Sequence, residues 1–231
     1  MIEGELNLSE ILRLLSRASV ATAYSLLGES RARYLLSGVK PLLPDMKVVG
    51  PALTIQYITY EEASKEGFKG NAVHEAYDSI RGGEVIVAAA LGRSDVGVFG
   101  DCITFGFKVK GAAGIVTDGG IRDSPYIMKL NFPVFARNTT PEHIGGVIVP
   151  YKVNGDIVCA GVHIRPGDII MGDADGVIAV PREKAKEIAV KASEVEIKED
   201  AIRRMIASGI PLREAYPPRP DLLEKFLEKR S

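Results

Sequence analysis

The stretch Glu84-Val85-Ile86-Val87-Ala88-Ala89-Ala90-Leu91 carries an unbroken apolar run, which reads as a β-strand buried on both faces, as in a parallel sheet covered by helices. Gly92, Gly97 and Gly100 mark a loop that ends it. In 101–110, the residues Ile103, Phe105, Phe107 and Val109 allow either strand or helix. A crossover to a second parallel strand needs about a dozen residues, usually helical, so we take 101–110 as a helix with Asp101 at its start. Gly114-Ile115-Val116-Thr117 is then a second short strand, closed by Asp118-Gly119-Gly120. Ser124-Pro125 supplies an N-cap followed by proline at the first helical position. Asp101 and Arg122-Asp123 therefore both fall where a strand hands over to a helix. In an open parallel sheet that edge is where ligands bind and where helix amides favour anions. Local sequence leaves two meanings open: Asp101 as a plain cap with Arg122 paired to a nearby carboxylate, or both carboxylates and the guanidinium sharing one crevice.

Further out, Ser9 is the expected cap of a short amphipathic helix carrying Ile11, Leu12, Leu14 and Leu15, with another helix over 20–27. Residues 48–58 contain Pro51 near their start and alternate weakly, which suggests an edge or entering strand. Residues 71–80 read as helix. Between 133 and 180 the runs Val134-Phe135-Ala136, Val147-Ile148-Val149, Ile157-Val158-Cys159-Ala160, Asp168-Ile169-Ile170-Met171 and Val177-Ile178-Ala179-Val180 alternate with Gly and Pro turns, a strand-rich half typical of a compact barrel or layered sheet. A long charged helix over 182–208 follows, with Ile188, Val195, Ile202, Met205 and Ile206 as apolar positions. Pro217-Pro218-Arg219-Pro220 breaks the chain before a short tail helix, 221–229.

The residues from Gly100-Asp101 through Gly111-Ala112-Ala113-Gly114-Ile115-Val116-Thr117-Asp118-Gly119-Gly120-Ile121-Arg122-Asp123 to Phe132-Pro133-Val134-Phe135-Ala136-Arg137 resemble the RraA-like family, which includes the regulator of ribonuclease activity A and the 4-hydroxy-4-methyl-2-oxoglutarate aldolases. Val49-Gly50-Pro51-Ala52-Leu53-Thr54, Arg165-Pro166-Gly167-Asp168, Gly172-Asp173-Ala174-Asp175-Gly176-Val177 and Val180-Pro181 extend the likeness over roughly residues 20–208. The resemblance implies a single domain over 1–231 with an α/β fold: a layered β/β/α arrangement of the swivelling type, its central sheet or barrel flanked by helices, assembled as a homotrimer or hexamer. It also implies a class II aldolase site. Asp123 would bind Mg²⁺ or Mn²⁺ directly and Asp101 would do so through a water. Arg122 would contact the keto and enolate oxygens of pyruvate, with Gly100 and the backbone amides of Cys102 and Ile103 around its carboxylate. Glu196 or Glu199 would reach the metal from a neighbouring subunit. The aldolase signature often carries another acid two to four residues after Arg-Asp, whereas Ser124-Pro125-Tyr126-Ile127-Met128 has none.

These residue types belong together chemically. Breaking a carbon-carbon bond next to a 2-keto acid leaves an enolate whose charge a divalent cation and an arginine stabilise. Retro-aldol cleavage also needs a base for the substrate hydroxyl, whereas oxaloacetate decarboxylation does not. The expected activity is thus a metal-dependent lyase on a small 2-keto acid, as a pyruvate aldolase, an oxaloacetate decarboxylase or both. The alternative is a ring-shaped, non-catalytic regulator that binds a ribonuclease or helicase.

With 29 basic against 30 acidic residues, the net charge of -1 offers no global footprint for nucleic acid. No apolar stretch approaches the roughly 20 residues of a membrane span, and the N-terminal Met1-Ile2-Glu3-Gly4-Glu5 lacks a signal-peptide pattern, so a cytoplasmic protein is expected. His74, His143 and His163 show no ligand spacing and are expected in structural or surface roles. Cys102 and Cys159 form no metal motif, and Cys102 is expected to be a small packed residue. Glycines 111, 114, 119 and 120 miss the dinucleotide fingerprint. Asp173 and Asp175 read as a tight turn between strands. Loops 59–70 and 92–99, where substrate selection is expected, have no readable motif.

Overall fold

The computed structural model describes residues 6–68 and 70–228; Lys69 in the 59–70 loop, Lys229 of the expected tail helix and residues 1–5 lie outside them. In chain order it contains α1 (Leu8–Arg17), α2 (Val20–Leu26), β1 (Lys40–Pro41), β2 (Val48–Thr59), α3 (Tyr60–Glu66), α4 (Ala72–Ser79), β3 (Val85–Ala89), β4 (Gly97–Phe99) and α5 (Asp101–Lys110). There follow β5 (Gly114–Thr117), β6 (Gly120–Ile121), α6 (Ser124–Ile127), β7 (Val134–Ala136), β8 (Asn138–Thr139), β9 (Ile148–Val153), β10 (Ile157–Cys159) and β11 (Val162–Ile164). The chain closes with β12 (Ile169–Asp173), β13 (Gly176–Val180), α7 (Arg182–Ala207), α8 (Leu212–Ala215) and α9 (Pro220–Glu228).

The main sheet runs β1-β7-β5-β3-β2-β12-β13, with β9 on the far half of β2. Strands β2, β3, β5 and β7 are parallel. The sheet curls until its ends nearly meet: the Leu36 N–H donates to the Val177 carbonyl on β13, while Lys40 and Pro41, a few residues on, pair with β7 at the opposite end. The result is a nearly closed barrel flanked by helices, as the α/β expectation required.

Side-chain alternation explains the apolar run at 84–91. Val85, Val87 and Ala89 pack with Val116, Phe135 and Ile170 in one core. Ile86, Ala88 and Ala90 point the other way, onto residues of α4, α5 and α6 such as Ala76, Phe107 and Ile127. Both faces of β3 are buried, so no polar position is tolerated in it. A third core joins Ile169, Met171, Ile178 and Val180 to α1, α2 and α7.

The structure corrects the reading of 48–58. β2 is central, bonded to β3, β9 and β12. Pro51 fits because of its side of the strand. Ala52 exchanges backbone hydrogen bonds with Asp168 and Gly167 on the β12 flank. Alternation turns the Pro51 nitrogen to the other flank, where pairing begins only at Ala52 opposite Val85, so its missing N–H interrupts no ladder. The cap of α1 also moves: Asn7 accepts from the Glu10 N–H and Glu10 accepts from the Asn7 N–H, a reciprocal capping box that Ser9 lacks. The turn expected at Asp173 and Asp175 is the hairpin joining β12 to β13. Among the described residues no helix is long and apolar enough to cross a membrane.

Asp118, at the end of β5, is 4% exposed and latches the strand ends together. Its Oδ1 accepts from the Ala90 N–H at 2.6 Å and its Oδ2 from the Ala160 N–H at 3.0 Å. Asp118→Asn keeps one acceptor and turns an amide donor toward the other N–H. We expect a loss of about 1–3 kcal/mol of unfolding free energy, measured by urea denaturation at neutral pH.

Candidate active site

The segment 92–100 is not a simple loop. Gly97–Phe99 forms β4, parallel to β6, which is parallel in turn to β8. This small sheet extends from the carboxyl ends of β3, β5 and β7, and the Arg122 N–H donates to the Phe99 carbonyl at 3.1 Å. Two glycines permit the approach. A Cβ on Gly97 would lie 2.8 Å from Arg122 Cβ and Cγ, and one on Gly100 would lie 2.6 Å from Asp123 Oδ2.

Asp101 is the first residue of α5, after Gly100 as the cap, and its Oδ1 accepts from the Cys102 N–H at 2.8 Å. The Cys102 amide is therefore engaged by its neighbour, whereas the Ile103 amide belongs to the first turn, where a helix offers no internal acceptor. The cap of α6 is Asp123, not Ser124, and it adopts the left-handed conformation with φ of 59°. Its carboxylate does not cap the helix. Instead Arg122 Nε donates to Asp123 Oδ2 at 3.1 Å, both side chains about one-third exposed. An ion pair this open contributes about 0–1 kcal/mol, so its consequence is orientation of the guanidinium rather than stability.

Asp101, Cys102, Ile103, Gly100, Arg122 and Asp123 line one crevice of about 730 Å³. The groups share one crevice, and Arg122 is at the same time paired with a nearby carboxylate, that of Asp123, so each of the two meanings is met in part. Cys102 is exposed rather than packed, because the second position of α5 faces the crevice and not the core. The adjoining Asp101 carboxylate pushes its thiol up, which keeps it protonated and a poor nucleophile. His74, on α4, and His143 also line this crevice, so two of the three histidines assigned to structural or surface roles stand at the site. No local signal could have found His143: its place comes from a bridge to Gly97, far away in sequence.

Glu196 and Glu199 do not line the crevice of their own chain. Glu196 Oε1 accepts from the Ser19 N–H at 3.0 Å and from the Thr22 hydroxyl at 2.8 Å, fastening α7 to the start of α2. Glu199 lies 3.6 Å from Arg203, one turn along α7. Burial disfavours the Glu196 charge, but the hydrogen bonds from Ser19 and Thr22 prevail and hold its carboxyl below the ordinary glutamate value.

A family model described as RraA-like, Aldolase/RraA, matches residues 18–179. The chain belongs to the RraA-like family. A protein of Halalkalibacterium halodurans named "Putative 4-hydroxy-4-methyl-2-oxoglutarate aldolase" is 37% identical over 187 residues, 79% of this chain and 82% of that protein. The crystal structure of Streptomyces coelicolor RraAS2, described as an unusual member of the RNase ES inhibitor RraA protein family, is 35% identical with a TM-score of 0.77, covering 87% of this chain and 98% of that one. An uncharacterized protein from Pseudomonas syringae pv. tomato superposes with a TM-score of 0.78 at 28% identity, over 90% of this chain and 97% of that one.

Two measurements test these placements, one in the crevice of this RraA-like protein and one outside it. Gly100→Ala is expected to push Asp123 off Arg122, visible as a displaced carboxylate in a crystal structure of the variant. Its melting temperature should fall by no more than a few degrees, since the Gly100 φ of -106° is open to alanine. Glu196→Gln should be less stable than the parent at neutral pH. A carboxyl whose folded pKa is depressed stabilises above the unfolded value and loses that contribution as pH falls through the folded one. The difference in melting temperature should therefore shrink below about pH 4.3.

Proposed function

We propose that this chain is a divalent-metal-dependent carbon-carbon lyase acting on a small 2-keto acid, as a class II pyruvate aldolase of the 4-hydroxy-4-methyl-2-oxoglutarate type, an oxaloacetate decarboxylase or both. The observation that carries it is the convergence of Arg122, Asp123 and Asp101 at two strand ends in one crevice. Identity does not choose between an aldolase and an RNase inhibitor, since the two named relatives lie at 37% and 35%. The crevice chemistry favours the lyase.

The donor set suits a hard cation. Among the described residues, no group of three or more His, Cys, Asp or Glu converges as a self-sufficient metal cage. Arg122 engages Asp123 through Oδ2 and the Cys102 N–H engages Asp101 through Oδ1, so each carboxylate has a second oxygen to offer, and Gly100 lets Asp123 come close because it carries no Cβ. Two carboxylates completed by water match the preference of Mg²⁺ or Mn²⁺. Asp123 would bind the ion directly and Asp101 through a water. In a homotrimer or hexamer, Glu199 fits better than Glu196 as a ligand offered to the next copy, because Glu196 is engaged at α2. When bound, the cation supplies Lewis-acid stabilisation of the 2-keto oxygen.

The chain's own groups do the rest. Arg122, held by Asp123, neutralises charge developing on the keto oxygen as the bond breaks. The Ile103 amide at the start of α5 binds the carboxylate of the pyruvate unit. Asp101 would hold the water that takes the proton of the substrate hydroxyl during aldol cleavage.

Pyruvate release from oxaloacetate and from 4-hydroxy-4-methyl-2-oxoglutarate, with Mg²⁺ or Mn²⁺ and with chelator, tests the proposal. We expect turnover that chelator removes, loss of it in Asp123→Ala, and a fall in kcat of about 10²–10³ in Arg122→Ala. No metal-dependent turnover of either substrate would sink the lyase in favour of a non-catalytic, ring-shaped regulator of a ribonuclease or helicase. The RNase inhibitor family named for the Streptomyces relative favours that second reading.

A further inference from the structure

The crevice is far larger than a three-carbon acid, and the acid-guanidinium group occupies one side of it. Another part of its wall comes from the segment bridged to the small sheet, with His143, Ile144 and Gly145. β4 pairs with β6 on one flank and, through Gly97, with His143 on the other. The Gly97 N–H donates to the Glu142 carbonyl at 2.9 Å, which fixes that flank. The His143 backbone thus stands two strand spacings, roughly 10 Å, from Gly120 on β6, and Arg122 follows the end of that strand. Gly97 lies between them and carries no side chain of its own, so the Arg122 side chain can lie over it.

The tautomer of His143 follows from its own turn. Its Nδ1 accepts from the Gly145 N–H at 2.8 Å, so the ring proton of the neutral imidazole is on Nε2. His143 is therefore a hydrogen-bond donor at the crevice wall. Glu142, whose carboxylate accepts from the His143 N–H, is not among the crevice residues and does not set a negative charge there.

We propose that His143 is a specificity-determining residue that binds a second carboxylate on the substrate, the one remote from the carbonyl held by Arg122. The proposal rests on the lyase reading above and narrows it. In aldol cleavage of a 4-carboxy-4-hydroxy-2-keto acid, a base takes the hydroxyl proton, the new carbonyl forms at the fourth carbon, and the electron pair of the bond between the third and fourth carbons passes to the enolate of pyruvate, which then takes up a proton at its third carbon. The remote carboxylate leaves intact on the departing 2-keto acid. In oxaloacetate the remote carboxylate is itself expelled as carbon dioxide, so a donor gripping it opposes the reaction. His143 thus directs the site toward aldol cleavage of dicarboxylates.

The experiment compares two aldol substrates with Mg²⁺ present: 4-hydroxy-4-methyl-2-oxoglutarate, which has the remote carboxylate, and 4-hydroxy-2-oxopentanoate, which lacks it. In the parent protein kcat/KM should favour the first. His143→Ala should lower kcat/KM for the first by about tenfold or more, chiefly through KM, and leave the second within about twofold. His143→Gln, whose amide donates from a similar position, should recover part of the loss. Equal falls for both substrates would mark His143 as merely structural and overturn the proposal, as would no change in either. If the parent turns over neither substrate, nor oxaloacetate, the lyase reading fails and takes this one with it. If the parent is active and the substrate ratio is insensitive to His143, this proposal alone fails.

Discussion

The crevice depends on how closely two strand ends approach one another. β4 and β6 lie side by side, tied by the Arg122 N–H and the Phe99 carbonyl, and the Arg122 side chain lies across the backbone of Gly97. Any side chain at 97 meets Arg122 within 3 Å, and any at 100 meets Asp123. Contacts under 3 Å are too close for a Cβ to be absorbed without movement, and the side chains that would move are those to which the proposal gives the chemistry. The absence of two methyl groups is therefore what lets a guanidinium and two carboxylates share one small volume.

This arrangement sits at the edge of one structural core, which Phe99 and Ile121 enter. The barrel and its helical layers bury Val87, Phe135, Ile86 and Met171 away from the crevice, and Asp118 ties the ends of β3 and β5 to the turn after β10. The layer of α1, α2 and α7 covers β12 and β13, and Glu196 secures it. The crevice is built from short segments resting on these layers, with Val98, Phe99 and Ile148 shared between its wall and the core beneath it. Exposed functional turns on a rigid scaffold are the usual division of labour in α/β folds.

Much of this was legible in the sequence where signals are local and periodic. The double-faced burial of β3, the helix after Gly100-Asp101, the hairpin at Asp173 and the 26-residue α7 follow from runs, turns and spacing. The capping box Asn7-Leu8-Ser9-Glu10 was present too, and Glu10 decides for Asn7 because only from there does it fall three residues on. What was illegible was non-local. β4, β6 and β8 are two or three residues long, too short for periodicity, and they exist only because their partners arrive from elsewhere. The central place of β2 was hidden by Pro51, whose harmlessness depends on which flank its nitrogen faces. His74 and His143 were invisible for the same reason as the small sheet.

The left-handed backbone at Asp123 has a genetic consequence. That conformation is open to few residues, chiefly glycine, asparagine and aspartate, and an aspartate codon is a single nucleotide from either of the other two. The substitutions that most easily erase the carboxylate are thus the ones the main chain already accommodates. A lineage can shed whatever reaction depends on Asp123 in one step while its architecture persists, which gives descendants of such a chain a smooth path from chemistry to pure recognition.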